Sequence, residues 1–478
     1  MRFNRYEQTL ESWTSATAGL SSIMAAASRS ARQAIAAPSS REQELRDVAA
    51  GVAAPLLAGY VLWVLQRAHD ADLKRLYFVS RDGQILLDIA RRLSHRLKSS
   101  CELRYLHASR QAWWVPAASA LVSEQLEPFV TETGRVSLRT ILARVSIEPE
   151  EIGEGLEGLG FREGDWSRDL TPRAREELRA IIRDGILRQV IERSTAPKRE
   201  LLLRYMKQER LLERTDWALV DLGWRGTLQK ALGVTLARSG TGPPRGLYFG
   251  IISNPFLGIV NASLEASCGP MEAYLLDERS RRGMDTVVPE AAHMVEAFCT
   301  GTEGAVIGYE ERAEQVAPVL ATPINRPALE AGLLLVRQTI SRFSEELALS
   351  SSGFVSLDAD VRPATTAILQ AFWETPSPAA AAAWATFPFE LNLLRAESTI
   401  MATRYSWGDV ADVFRTGVLG RNEWRPWVPG SLAITPASIR LALQASTPAA
   451  RALRRLLRPL KHSDRSTRKT SRRDDRTP

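Results

Sequence analysis

Residues 75–97, RLYFVSRDGQILLDIARRLSHRL, followed at 102–110 by ELRYLHASR, decide the class of fold. Leu76 to Val79 is a short β-prone apolar run that stops at a turn, Ser80-Arg81-Asp82-Gly83, and gives way to apolar residues at helical spacing. A second β-prone run, ELRYL, follows. Strand, helix, strand in that order predicts a parallel sheet, because parallel neighbours need a crossover and a helix supplies it. The pattern returns at DWALVDLGWRGTLQKALGVTL (216–236) and RGLYFGII (245–252), two more strand candidates around another helix. The expected class is α/β, a mostly parallel sheet with flanking helices, a helical insertion and a helical C-terminal part.

Around that core, residues 1–47 read as polar, Ala-rich helix broken by AAPSSRE, an N-terminal appendage. Residues 48–132 and 213–310 are the two parts of the α/β core. Between them, 133–212 is a helical insertion carrying VSLRTILARV, AREELRAIIRDGILRQVIERS and KRELLLRYMKQERLL. Residues 290–311, EAAHMVEAFCTGTEGAVIGYEE, read as helical, 311–430 as a mostly helical C-terminal part, and 431–478 as an amphipathic helix and a basic tail.

The composition, 45% hydrophobic and 24% charged over 478 residues, excludes a disordered chain and allows a large core. The net charge of +7 is local: residues 451–478 hold eleven Lys/Arg against three Asp, so the first 450 residues sum to −1. A nucleic-acid binder is therefore not expected, since the basic residues have no interleaved aromatics and no reader module. RALRRLLRPLK with its tail is either a loose solvated end or a contact to an anionic membrane surface. Cys101, Cys268 and Cys299 lie far apart, without the spacing of a disulfide framework or structural zinc site. The start, MRFNRYEQTLESW, has no apolar h-region, and the predicted location is cytoplasmic, peripheral at the inner membrane face if the tail binds lipid. AAGVAAPLLAGYVLWVL (49–65) is uncharged and nearly long enough to span a bilayer, but Pro55, two glycines and polar flanks favour a buried core helix. GEGLEG (153–158) matches a dinucleotide fingerprint in letters only; no strand precedes it, and it reads as a turn between helices.

Three loops fall where a parallel sheet presents its ligands, at the carboxyl ends of strands: Ser80-Arg81-Asp82-Gly83, Ser109-Arg110, and Asp221-Leu222-Gly223-Trp224-Arg225-Gly226-Thr227. They combine two carboxylates, three arginines, hydroxyls and glycine turns, the chemistry that a phosphorylated, metal-escorted substrate requires. Gly226 lets backbone approach an anion, the helix opening at Thr227 points free amides at it, and Arg225 offers a planar fork for phosphate. Asp82 and Asp221 suit a Mg²⁺ ion or the vicinal hydroxyls of a sugar. An Asp after a strand also serves as a cap, and an Arg beside a Trp also stacks at a surface. Co-occurrence in strand-end loops favours the site. Trp113 and Trp114 are either a sugar-stacking wall or core packing.

LYFVSRDGQILLDIA (76–90), YLHASRQAWWVPA (105–117), LVDLGWRGTLQKAL (219–232) and HMVEAFCTGTEGAVIGYE (293–310), in that order, resemble the glycan-directed phosphoribosyltransferase module of bacterial ribofuranosyltransferases. The resemblance runs from about residue 48 to 430. It implies transfer of a 5-phosphoribosyl group from phosphoribosyl pyrophosphate to a hydroxyl of a growing surface polysaccharide, lipid-linked as acceptor. In that family the module follows a phosphatase domain of the haloacid dehalogenase type, which removes the 5-phosphate. Residues 1–47 lack that domain's DxDxT signature, and Ser80 stands where its nucleophilic Asp would be, so either a separate sugar phosphatase completes the sequence or the product keeps its phosphate. The third loop departs from the usual donor loop of phosphoribosyltransferases, which carries two adjacent acids; here Leu222 follows Asp221.

Displacing pyrophosphate passes through an oxocarbenium-like state, which assigns Arg81 and Arg110 to the leaving group and the Asp221–Thr227 loop, with Gly223, Trp224, Arg225 and Gly226, to the ribose and its 5-phosphate. Asp82 serves as metal or ribose ligand, beside Ser80, Gly83 and Ser109. The general base that takes the acceptor's proton is sought among Glu296, His293 three residues before it, and Glu272. The competing readings are a sugar phosphohydrolase and a noncatalytic scaffold of a polysaccharide assembly complex.

Overall fold

The computed structural model describes residues 3–94, 101–131, 136–252, 268–281, 283, 289–350, 359–392, 397–416 and 425–456. Five strands form one parallel sheet: β1 (Arg75–Val79), β2 (Glu102–Leu106), β3 (Trp217–Trp224), β4 (Arg245–Ile251) and β5 (Met271–Asp277), in the order β2-β1-β3-β4-β5. The expected α/β class is observed, with β5 added to the four strands anticipated.

Side-chain alternation explains why both faces of the sheet are covered. Leu76, Phe78, Ala218, Val220, Leu247 and Phe249 enter one core, shared with the helices Ala54–Asp70 and Gly83–Ser94. Tyr77, Val79, Trp217 and Leu219 enter a second, shared with the helices Arg110–Thr131, Ile186–Gln208 and Thr227–Ala237. The segment 49–65 is buried, as expected of a core helix; the continuous helical stretch Ser40–Asp70 is long and apolar enough to cross a membrane, but 94% of its most apolar window is buried inside the protein.

Residues 4–48 are not an appendage. Tyr6, Leu10, Leu20, Met24, Leu45 and Val48 are buried in the first core. Glu7, fully buried, accepts from Arg32 Nε at 3.0 Å and Nη2 at 3.1 Å and from the Asn4 amide at 2.8 Å, so the charge is compensated where it is desolvated. The insertion is helical as expected, and GEGLEG lies in a short helix, Gly153–Gly158, with no strand before it.

Residues 290–311 depart from the helical reading. Only Ala292–Phe298 is an α-helix; Val306–Arg312 is strand β6, paired antiparallel with β7, Gln315–Leu320. Val306, Tyr309 and Val316 are buried against the second core, and this tertiary packing outweighs a local pattern that lacks clear alternation. A second hairpin, Pro388–Asn392 with Glu397–Ile400, interrupts the C-terminal helices. The amphipathic stretch 451–461 begins within the helix Ala437–Leu456; its side chains and the basic tail beyond lie outside the described residues.

Candidate functional site at the carboxyl ends of β1 and β3

With strand order β2-β1-β3-β4-β5, the chain moves from β1 to β2 on one side and to β3 on the other, so the crevice between β1 and β3 is the topological switch point of the sheet. Asp82 lies in the loop after β1, whereas Asp221 lies within β3, in register with Tyr248 of β4; the expected strand-end loop Asp221–Thr227 is strand as far as Trp224 and turns only at Arg225 and Gly226.

The loops are built tightly. After β1, the Ser80 hydroxyl donates to the Ala108 carbonyl at 2.7 Å and accepts from the Ala108 amide at 2.9 Å, pinning the first loop to the second. A β-carbon on Gly83 would lie 2.6 Å from the Phe78 backbone, so the helix Gly83–Ser94 starts directly on the strand it follows. Ser109 accepts from the Ala112 amide at 3.0 Å and donates to the Val306 carbonyl at 2.5 Å, capping the helix Arg110–Thr131 and tying it to β6. The peptide bonds Ser80–Arg81 and Gly223–Trp224 are both cis.

Near the end of β3, Gly223 has φ +126° and a β-carbon there would sit 2.1 Å from the Gly250 carbonyl oxygen. Only glycine fits that approach. Trp224 lies over Gly250, and its Nε1 donates to Glu296 Oε1 at 2.7 Å. Gly226, at φ +64°, is the N-cap of the helix Thr227–Ala237. Beneath the loop, the Tyr60 hydroxyl lies 2.8 Å from the Asp221 carbonyl and 2.7 Å from the Leu247 carbonyl, one proton shared between two acceptors of adjacent strands.

The electrostatics join these loops into one group. Burial pushes the Asp221 carboxyl up to about 7; the amides of Leu222 and Gly223 pull it down, Glu296 pushes it up further and Arg110 pulls it down. Arg110 is held below the usual guanidinium range by burial and by neighbouring Arg225, with Glu296 and Asp221 acting the other way. Burial also lowers Arg225, against the attraction of Glu296. Among the described residues neither arginine has a hydrogen bond or an ion pair within 4 Å, and Arg110 Nε is buried without a hydrogen-bond partner. A largely buried cation and a half-buried one that repel each other without a paired carboxylate are costly, and an anionic ligand is a group that would relieve them.

Asp82 belongs to the same neighbourhood. The buried Cys299 thiol is pushed well up by burial and, next, by Asp82, with smaller contributions from Glu296 and Asp221, so the fields of three carboxylates converge on it. Gly301 packs on Arg81, where a β-carbon would be 3.0 Å from Arg81 Cβ. His293 Nδ1 is 3.8 Å from Glu296 Oε2, near enough for charge but not a hydrogen bond.

Glu272 is not brought to this group. It is the second residue of β5, at the amino end of the sheet, paired with Arg245 at 3.0 Å and Arg67 at 3.6 Å, and it is absent from the charges acting on Asp221, Arg110 or Arg225. Trp113 and Trp114 do not form a sugar wall: both are buried, and Trp113 Nε1 donates to the Tyr309 hydroxyl at 2.7 Å.

One polar cluster carries no motif in the sequence. Glu303 accepts from the Tyr105 hydroxyl at 2.9 Å and lies 3.6 Å from His107 Nδ1. Burial lowers His107, with Glu303 opposing, and burial, then Glu303, then Asp82 raise Tyr105. The CTGTEG loop thus brings a fourth carboxylate near the first loop. The signal available in sequence was only the acid itself.

Comparison with protein-family models and with curated proteins finds no match for the chain.

Proposed function

We propose that the crevice between β1 and β3 binds phosphoribosyl pyrophosphate and transfers its 5-phosphoribosyl group to a hydroxyl of a bacterial surface glycan, O-antigen or capsule, while the acceptor is lipid-linked. The observation that supports this most is that largely buried Arg110 and half-buried Arg225 lie within each other's electrostatic reach, without a carboxylate in ion-pair range among the described residues, and within reach of Glu296. Two adjacent guanidinium groups match a diphosphate, and sugar-facing carboxylates beside them match a ribose.

In this reading Arg110 and Arg225, with Arg81 at the neighbouring loop, hold the pyrophosphate. The first amides of the helix Thr227–Ala237 and the Thr227 hydroxyl receive the 5-phosphate. Asp221 faces the ribose hydroxyls. The bond from the anomeric carbon to pyrophosphate breaks with both electrons leaving on oxygen, the acceptor oxygen bonds to that carbon, and its proton passes to Glu296, which Trp224 holds in place. His293 lies beside Glu296, its Nδ1 3.8 Å from Oε2.

Among the described residues no group of three or more His, Cys, Asp or Glu is arranged to hold a metal. In this reading Asp82 and Asp221 would take a Mg²⁺ ion that arrives on the pyrophosphate and keeps most of its water. Bound there, it would neutralise charge on the departing pyrophosphate. Removal of the 5-phosphate falls to a separate sugar phosphatase.

Isothermal titration with phosphoribosyl pyrophosphate and Mg²⁺, against ribose 5-phosphate and a nucleoside-diphosphate sugar, tests the reading. Selective binding of the pyrophosphorylated ribose that is lost in Arg110→Ala and Arg225→Ala supports it. A folded protein that binds none of the three sinks it and moves the reading to a noncatalytic scaffold.

A further inference from the structure

The C-terminal helices Trp407–Thr416 and Ala437–Leu456 pack on each other through Tyr405, Val413, Ile439 and Leu443. Their outer faces are unusual for a soluble surface. Trp407, Phe414 and Leu441 are 60%, 52% and 65% exposed. Trp407, Ala411 and Phe414 stand at i, i+4 and i+7, one stripe of the first helix, and Leu441, Gln444 and Ala445 are exposed on the second. The acids of the first helix are engaged: Asp409 accepts from Arg425 Nη1 at 3.0 Å, and Asp412 pairs with Arg415.

The charge pattern along the chain changes abruptly after this face. Residues 426–450 contain one charged residue, Arg440, whereas 451–478 contain eleven Lys/Arg and three Asp. Large apolar side chains with a Trp among them, acids already paired with arginines, a second helix with Arg440 as its one charge up to residue 450, and a basic run after it are the combination that settles at the headgroup boundary of an anionic bilayer. A second copy of the chain is the poorer occupant, because it would bring two runs of +8 together.

We propose that this helix pair seats the protein on an anionic lipid surface, with Trp407, Phe414 and Leu441 entering the headgroup boundary and the basic run after residue 450 binding the lipid charge. It stands independently of the donor assigned above, since no residue of the β1–β3 crevice takes part.

The test is co-sedimentation of the full chain with vesicles of phosphatidylcholine alone or with about a third phosphatidylglycerol, at low and high salt. Binding is expected to the anionic vesicles only, to weaken with salt, and to fall about tenfold or more in the double variant Trp407→Ser, Phe414→Ser. Leu441→Asp, checked like the double variant for an unchanged melting temperature, should weaken it too. Brominated lipid should quench tryptophan fluorescence less in Trp407→Phe than in the wild type. Three results would overturn the proposal: no binding to anionic vesicles, binding indifferent to all these substitutions, or a concentration-dependent dimer abolished by them, which would make a second copy the occupant.

Discussion

Trp224 at the end of β3 donates a 2.7 Å hydrogen bond from its indole nitrogen to Glu296 on the helix Ala292–Phe298, joining the third loop to a carboxylate 72 residues away. A hydrogen bond to an ionised carboxylate is worth about 1.5–3 kcal/mol and fixes its direction. Trp224→Phe keeps the ring over Gly250 and removes the donor. The expected outcome is a kcat for transfer lower by roughly ten- to a hundredfold, with donor affinity by titration little changed. Equal losses in both would place Trp224 in donor binding instead.

Asp221 makes stability depend on pH in a definite direction. Its carboxyl is pushed up to about 7 from 3.8, so the folded chain holds this proton more tightly than the unfolded chain. The associated stability is complete below pH 3.8 and is lost as pH rises through 7. Asp221→Asn, which cannot ionise, should therefore be more stable than the wild type at pH 8, by at most about 4 kcal/mol and less because the side chain retains some exposure. The gap should narrow towards pH 4. Thermal melts across that range check it, and a gap that does not change with pH would contradict the assignment.

Arg110 and Arg225 should trade stability for binding. Both guanidinium groups are desolvated, so Arg110→Ala and Arg225→Ala are expected to leave the melting temperature unchanged or raised. Inorganic pyrophosphate is expected to raise the melting temperature of the wild type and to leave that of both variants unchanged. A variant that melts lower and still responds to pyrophosphate would assign the arginines to structure.

Gly223→Ala places a β-carbon 2.1 Å from the Gly250 carbonyl at φ +126°, against backbone that cannot swing away. The expected cost is roughly 3 kcal/mol or more, measured by denaturant unfolding. Gly226→Ala, at φ +64° and meeting the Met271 sulfur at 2.7 Å, should cost less, because a methionine side chain can shift.

The strands β1 to β4 and the loops after β1 and β2 are legible because each is a local pattern: an apolar run, a stop, a helix; the third loop is not, since pairing with β4 carries β3 past Asp221 to Trp224. Glu272 was misplaced for a related reason. GPMEAYLLD shows its acid clearly, but not that the strand begins at Met271, which puts the acid at the amino end of the sheet. β6 reads as helix in sequence because VIGYEE has no clean period, and pairing with β7 decides it. Glu303, His107 and Tyr105 could not be grouped from sequence, since the contact joins residues 105 and 303 through the fold alone. The first 48 residues looked polar and separable because their buried Glu7 is neutralised by Arg32, a pairing invisible without the helical hairpin that makes it.

The single hydroxyl of Tyr60 that spans the carbonyls of Asp221 and Leu247 has a consequence for how this protein can be divided. Tyr60 belongs to the apolar helix that precedes the sheet, and residues 4–48 bury into the same core. A fragment cut at the start of β1 would carry every residue of the crevice and yet lack the floor that holds β3 against β4 beneath Asp221. Any unit that is expressed or exchanged between proteins as a working part therefore has to include residues 4–74 with the sheet, and a boundary drawn at the first strand should fail.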